Sequence, residues 1–112
     1  MNRYLDLVER LKESVLGGKG VTGPALRRAV AARSAELSGR PDAPAGELPP
    51  DLREHVDRIA LHAYEVTDED VAALKAAGWS EDAIFEISVA AALGAGTSRL
   101  ERGLAALREA TP

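Results

Sequence analysis

The sequence predicts an all-α fold, a compact helical domain of about five to six helices. Three observations carry this expectation. Apolar residues recur at helical spacing in one segment after another. No stretch alternates apolar with polar residues, and no hairpin signal is present. Alanine is abundant and β-branched residues are sparse, which biases the chain toward helix.

The first predicted helix runs from about Asn2 to Leu16. Leu5, Val8, Leu11, Val15 and Leu16 form its stripe, and Leu7 widens it. Gly17 and Gly18 stop it, and Gly20 and Gly23 loosen the connection. Pro24 suits the first turn of a second helix that reaches about Leu37. Its apolar positions are Leu26, Ala29, Val30, Ala32 and Leu37, with Arg27, Arg28 and Arg33 on the other sides. Those arginines read as a solvated face or as an anion-binding cluster. Residues 38–50, SGRPDAPAGELPP, hold four prolines and two glycines and predict a linker or surface loop.

A third helix is expected from Pro50 to Val66, with Leu52, Val56, Ile59, Ala63 and Val66 on one stripe. Thr67 and Asp70 stand at capping-box spacing, so a short fourth helix follows, ended by Gly78. Ser80 caps a fifth helix, and Glu81 and Asp82 suit its first turn. That helix, to about Leu93, is apolar on most sides, which predicts burial within the domain or between subunits. Gly94 and Gly96 predict a break or kink before a last helix that ends near Ala110.

The totals bound the function. A chain of 112 residues fits one domain with one modest core. It divides into a helical pair (1–37), the loop (38–50) and a helical core (51–112). The net charge of −4 gives no electrostatic footprint for nucleic acid. The absence of cysteine excludes disulfides, thiolate nucleophiles and cysteine-ligated metals within these residues. The opening residues form no signal-peptide core, and no apolar run is long enough for a membrane span. A cytoplasmic location without membrane association is therefore the expectation.

One constellation carries chemistry. Asp51, His55, Arg58 and His62 follow at i, i+4, i+7 and i+11 beside the apolar face of the third helix, and Glu65 extends the stripe. A histidine at the margin of a buried face can serve as a general base, and an arginine between two histidines can hold an acidic substrate. The two histidines stand seven residues apart, roughly 10 Å along a helix, so they cannot share one metal ion unaided. No metal or other cofactor is implied. The candidate catalytic residues are His62, His55, Tyr64 and Glu65, with Arg58 as the substrate-binding residue. The same stripe also reads as the polar border of an amphipathic helix. Glu86, an acid inside an apolar run, is expected to face solvent or a subunit boundary. Trp79 reads as an anchor in its turn. The segment from Ala90 to Gly96 admits a closely packed second helix, within the chain or in another copy, and a homo-oligomer is expected.

Residues 66–107, VTDEDVAALKAAGWSEDAIFEISVAAALGAGTSRLERGLAAL, run from a short helix ending in Ala-Ala-Gly through an aromatic residue, Ser, two acids and Ile into an alanine-rich helix. This pattern resembles the carboxymuconolactone decarboxylase and alkyl hydroperoxidase D-like superfamily. The resemblance implies that arrangement for the C-terminal half, and assembly into trimers or hexamers. Peroxidase members carry C-x-x-C-x-x-x-H just before the short helix. Counting back from Gly78 places the histidine slot at Asp70 and the cysteine slots at Val66 and Ala63, with Tyr64 between them. Alanine and valine supply no thiol, so the resemblance implies the fold and argues against thiol-peroxidase chemistry. Two functions are consistent with it. One is a non-redox oligomeric accessory protein. The other is a cofactor-independent enzyme, decarboxylase- or lyase-like, acting on a small acidic or lactone substrate through His55, Arg58 and His62.

Overall fold

A computed structural model of the chain describes residues 2–40 and 47–110. These residues are all-helical, with five α-helices and no strand. The helices are α1 (Asn2–Gly17), α2 (Pro24–Gly39), α3 (Pro50–His62), α4 (Asp68–Ala76) and α5 (Glu81–Ala110), and a 3-10 turn (Ala63–Glu65) follows α3. The middle of the proline-rich loop lies outside the described residues. No described helix is long and apolar enough to cross a membrane.

Local chemistry sets α4 sharply. Thr67 Oγ1 accepts the Asp70 amide at 3.2 Å, and the Asp70 carboxylate accepts the Thr67 amide at 2.9 Å. This is the reciprocal cap that the sequence predicts. At the other end Gly78 takes φ 106°. Its amide reaches Lys75 O and the Trp79 amide reaches Leu74 O, the paired bonds of a Schellman stop. Ser80 Oγ then accepts the Ala83 amide at 3.1 Å and starts α5.

Two helix boundaries differ from the prediction. α3 ends at His62 rather than Val66, because Val66 and Thr67 must be extended (ψ 124° and 167°) to form the cap of α4. The chain leaves the α-helix through the 3-10 turn to get there. The expected break at Gly94 and Gly96 is absent, and α5 runs unbroken for 30 residues. Gly94 is buried at the crossing of α5 with α2, where a Cβ would collide with the Ala31 carbonyl. The glycine serves close packing, not bending. Ser34 Oγ donates to Ala91 O across the same crossing, at 2.5 Å.

α2 buries Val30 and Leu37 and packs Leu26 on the core, as its sequence suggests, but its other sides differ from expectation. Arg27 and Arg33 are buried, whereas Ala29 and Ala32 are exposed. Arg27 donates to the carbonyls of Val15, Gly18 and Thr22 and so gathers the α1–α2 loop. Arg33 makes a two-point pair with Asp57 of α3, at 3.0 Å for each bond. The paired Arg33 and the carbonyl-bonded Arg27, whose Nε alone lacks a partner, are both buried, so neither residue belongs to a solvated face. Arg28 stays exposed, paired with Glu13.

The core brings Leu16 of α1 and Val30 of α2 against Leu52 and Val56 of α3, Leu74 of α4 and Ile87 of α5. Ile84, Ile87, Ala90 and Ala91 of α5 are covered within the chain, mainly by α2, whereas Phe85 is exposed. The far end of α5 projects beyond this core alongside α1, which gives principal extents of 54 × 31 × 24 Å. There Tyr4, Leu5, Leu7, Val8, Leu100 and Leu104 line an apolar groove.

Candidate small-molecule site beside His55

A cavity of about 120 Å³ opens where α3 meets α4. Asp51, Glu54, His55 and Arg58 line it from α3, and Asp70, Ala73 and Leu74 line it from α4. Asp51, in the first turn of α3, accepts the Leu52 amide at 2.9 Å and the Trp79 indole N–H at 2.8 Å. It thereby ties the start of α3 to the α4–α5 turn. Arg58 bonds Asp70 at 2.9 Å and Glu54 at 3.3 Å. Three carboxylates thus face one guanidinium, and two of them hold it.

His55 is only 4% exposed. Its Nε2 lies 2.8 Å from Ser88 Oγ on α5, and the Ser88 hydroxyl donates to Ile84 O at 2.7 Å. Its Nδ1 is buried without a protein partner. A buried acceptor left unpaired costs about 1–3 kcal/mol, so the vacancy demands a reason. Burial, and then the charge of Arg58, push the His55 pKa below its ordinary value, opposed by Asp70. The imidazole is neutral at pH 7, the form a general base requires. Asp70 is held below the usual carboxylate range, first by the Thr67 amide and further by Thr67 Oγ1, Arg58 and His55.

The structure brings together Asp51, His55 and Arg58 of the predicted stripe, and it separates His62, Tyr64 and Glu65 from them. His62, the last residue of α3, and Tyr64 and Glu65 of the 3-10 turn are all exposed. Tyr64 is 83% exposed, and its hydroxyl lies 3.4 Å from His62 Nδ1. Neither lines the cavity. Sequence reasoning missed Ser88 and Glu54 as neighbours of His55. Ser88 left a signal, a hydroxyl in an otherwise apolar run. Asp70, read as a cap, also belongs to the cavity. No set of three or more His, Asp or Glu able to hold a metal ion occurs among the described residues.

Glu86, half-buried, latches the glycine-rich loop, a role its sequence context does not reveal. Its carboxylate accepts the Val21 amide at 2.8 Å, the Thr22 amide at 2.9 Å and Thr22 Oγ1 at 2.5 Å. Those bonds, with Thr22 first, hold its pKa below the ordinary carboxylate value.

Comparison with known families, curated proteins and solved structures finds no match to this chain.

Proposed function

We propose that this chain is a non-redox protein of the carboxymuconolactone decarboxylase and alkyl hydroperoxidase D-like type, a cytoplasmic accessory protein that works as a homo-oligomer, trimeric or hexameric. The observation that carries this reading is the state of Asp70. At the family's histidine position stands a carboxylate already engaged by the Thr67 amide and Arg58. The cysteine positions hold Ala63 and Val66. Nothing at these addresses can attack a peroxide or resolve a sulfenic acid.

The groove between α1 and the far end of α5 supports self-association. Leu100, Leu104 and Leu107 step by four and three residues, the seam spacing of a coiled coil, and Tyr4, Leu7 and Leu11 keep the same rhythm on α1. A second copy supplies the matching pair of helices. Light scattering on the purified chain tests this, with a multiple of the chain mass expected. Leu7→Glu and Leu100→Glu together should reduce it to the monomer. A wild-type monomer across micromolar concentrations would refute the oligomer, and thiol-dependent peroxide turnover would refute the non-redox reading.

A second reading is favoured by one specific observation, the unpartnered Nδ1 of His55 beside a cavity. In it the chain binds or transforms a small molecule there, with His55 as acceptor or base. His62 plays no part. The carboxylates around Arg58 weigh against an acidic substrate. The test is whether any small polar molecule saturably perturbs the His55 imidazole.

A further inference from the structure

Two glycines of α5 pack against nothing described in the chain. Gly94 is explained by the Ala31 carbonyl that lies against it. A Cβ at Gly96 or Gly103 would meet nothing within 4 Å, and both residues are exposed. Glycine is the poorest helix former after proline, so each weakens the 30-residue helix that contains it.

The rest of that face is apolar. Val89, Leu93, Gly96, Leu100, Gly103 and Leu107 step by four and three residues, the seam spacing of a coiled coil. Val89 and Leu93 are half-buried and the other four are exposed. Phe85, one turn before Val89, continues the face and is 69% exposed. No seam position holds a charge. Arg99, at the edge, turns its guanidinium away to Ala60 O on α3.

The order of large and small residues specifies the occupant. A parallel copy of α5 would stack leucine on leucine and glycine on glycine, which leaves voids at both glycine layers. An antiparallel copy sets Leu93 against Gly103, Leu100 against Gly96 and Val89 against Leu107, so the leucines fill what the glycines leave open. The charges agree. Glu81, Asp82 and Glu86 open α5, whereas Arg99, Arg102 and Arg108 outnumber Glu101 and Glu109 in its second half. Antiparallel pairing brings the acidic half beside the basic one and opposes the two helix dipoles, and parallel pairing sets like halves together.

Building on the homo-oligomer reading, we infer that the outward face of α5 is a two-fold contact, in which α5 of a second copy packs antiparallel with the backbones close at Gly96 and Gly103. A ring of three copies contains no two-fold contact, so this selects the hexamer over the trimer.

The chain has no cysteine, so introduced thiols report alone. Leu93→Cys and Gly103→Cys chains, one of them tagged, are co-expressed and oxidised with diamide. A disulfide between the two kinds of chain is expected. Neither chain should cross-link to its own kind, because like cysteines lie about 15 Å apart along the axis of the antiparallel pair. Light scattering on the wild type should give an even number of chains. Gly96→Leu with Gly103→Leu should weaken association at least tenfold, with helicity by circular dichroism unchanged or raised. Cross-linking of like chains in place of the mixed product overturns the inference. So does an intact oligomer without the mixed product, an odd number of chains, or undiminished association of the folded double-leucine variant. Each of these leaves the homo-oligomer reading standing. A wild-type monomer overturns both.

Discussion

Glu86→Ala should loosen the α1–α2 connection and destabilise the whole chain. One carboxylate holds two backbone amides and one hydroxyl of residues 21–22 onto α5. Hydrogen bonds to a charged group contribute about 1.5–3 kcal/mol each when well shielded. Glu86 is only partly buried, so solvent takes much of that, and about 2–3 kcal/mol in total is the fair figure. At roughly 4 °C per kcal/mol for a chain of this size, Tm should fall by about 8–12 °C. Glu86→Gln should cost less at neutral pH, since its amide keeps an acceptor for Thr22 but turns a donor toward the Val21 amide. The pH dependence follows from the lowered pKa. A carboxylate whose folded pKa lies below its unfolded one stabilises fully above the unfolded value. That contribution is lost as pH falls through the folded one. The gap between wild type and Glu86→Gln should therefore be wide at pH 7 and narrow near pH 3. Urea denaturation at both pH values measures it. The latch is refuted if Glu86→Ala lies within about 0.5 kcal/mol of wild type at pH 7, or if the gap is unchanged by pH.

Gly94→Ala should destabilise by about 1–2 kcal/mol, because overpacking against the Ala31 carbonyl exceeds the ~1 kcal/mol gained in helix propensity. A gain in thermal stability would show that α2 and α5 do not approach as described. Asp57→Asn should cost about 2–3 kcal/mol, read by urea denaturation, since it weakens the two-point grip on a nearly buried guanidinium. His55 should make stability rise as pH increases through 6.5, the ordinary histidine value. Below it the unfolded chain takes up a proton that the folded ring refuses. His55→Gln should flatten that slope, and an unchanged slope would assign it to other groups.

What was legible in the sequence was what neighbouring residues settle among themselves. Thr67 and Asp70 form their cap, Gly78 stops α4 and Ser80 starts α5 with partners at most five residues away. Asp51, His55 and Arg58 were legible as a group because one helix carries all three. Leu26, Val30 and Leu37 set one side of α2 correctly, but its arginines and alanines were misplaced. Alanine buries little area, so Ala29 and Ala32 say little about the inward side, and arginine reads as surface until its partners are known. The partners of Arg27 are carbonyls of a loop, and that of Arg33 is an aspartate 24 residues away. Neither pairing leaves a periodic trace. Glu65 was lost for a related reason, and His62 stands at the very end of α3, clear of the cavity. A stripe extrapolates only while its helix lasts, and the cap at Thr67 ends this one.

Asp70 shows why the site could not be read from either helix alone. Its backbone and one oxygen close the cap with Thr67, a matter of three residues. Its other oxygen reaches Arg58 on α3, and its charge acts on His55. The cap thereby fixes where the carboxylate stands, and the carboxylate fixes where the guanidinium stands. From the opposite side Ser88 orients the ring. The cavity is the junction of a local device with two tertiary ones. Asp70 is thus a strut: it positions the guanidinium of Arg58 beside the imidazole of His55 at the α3–α4 junction. Behind that cavity Nδ1 of His55 is buried without a protein partner.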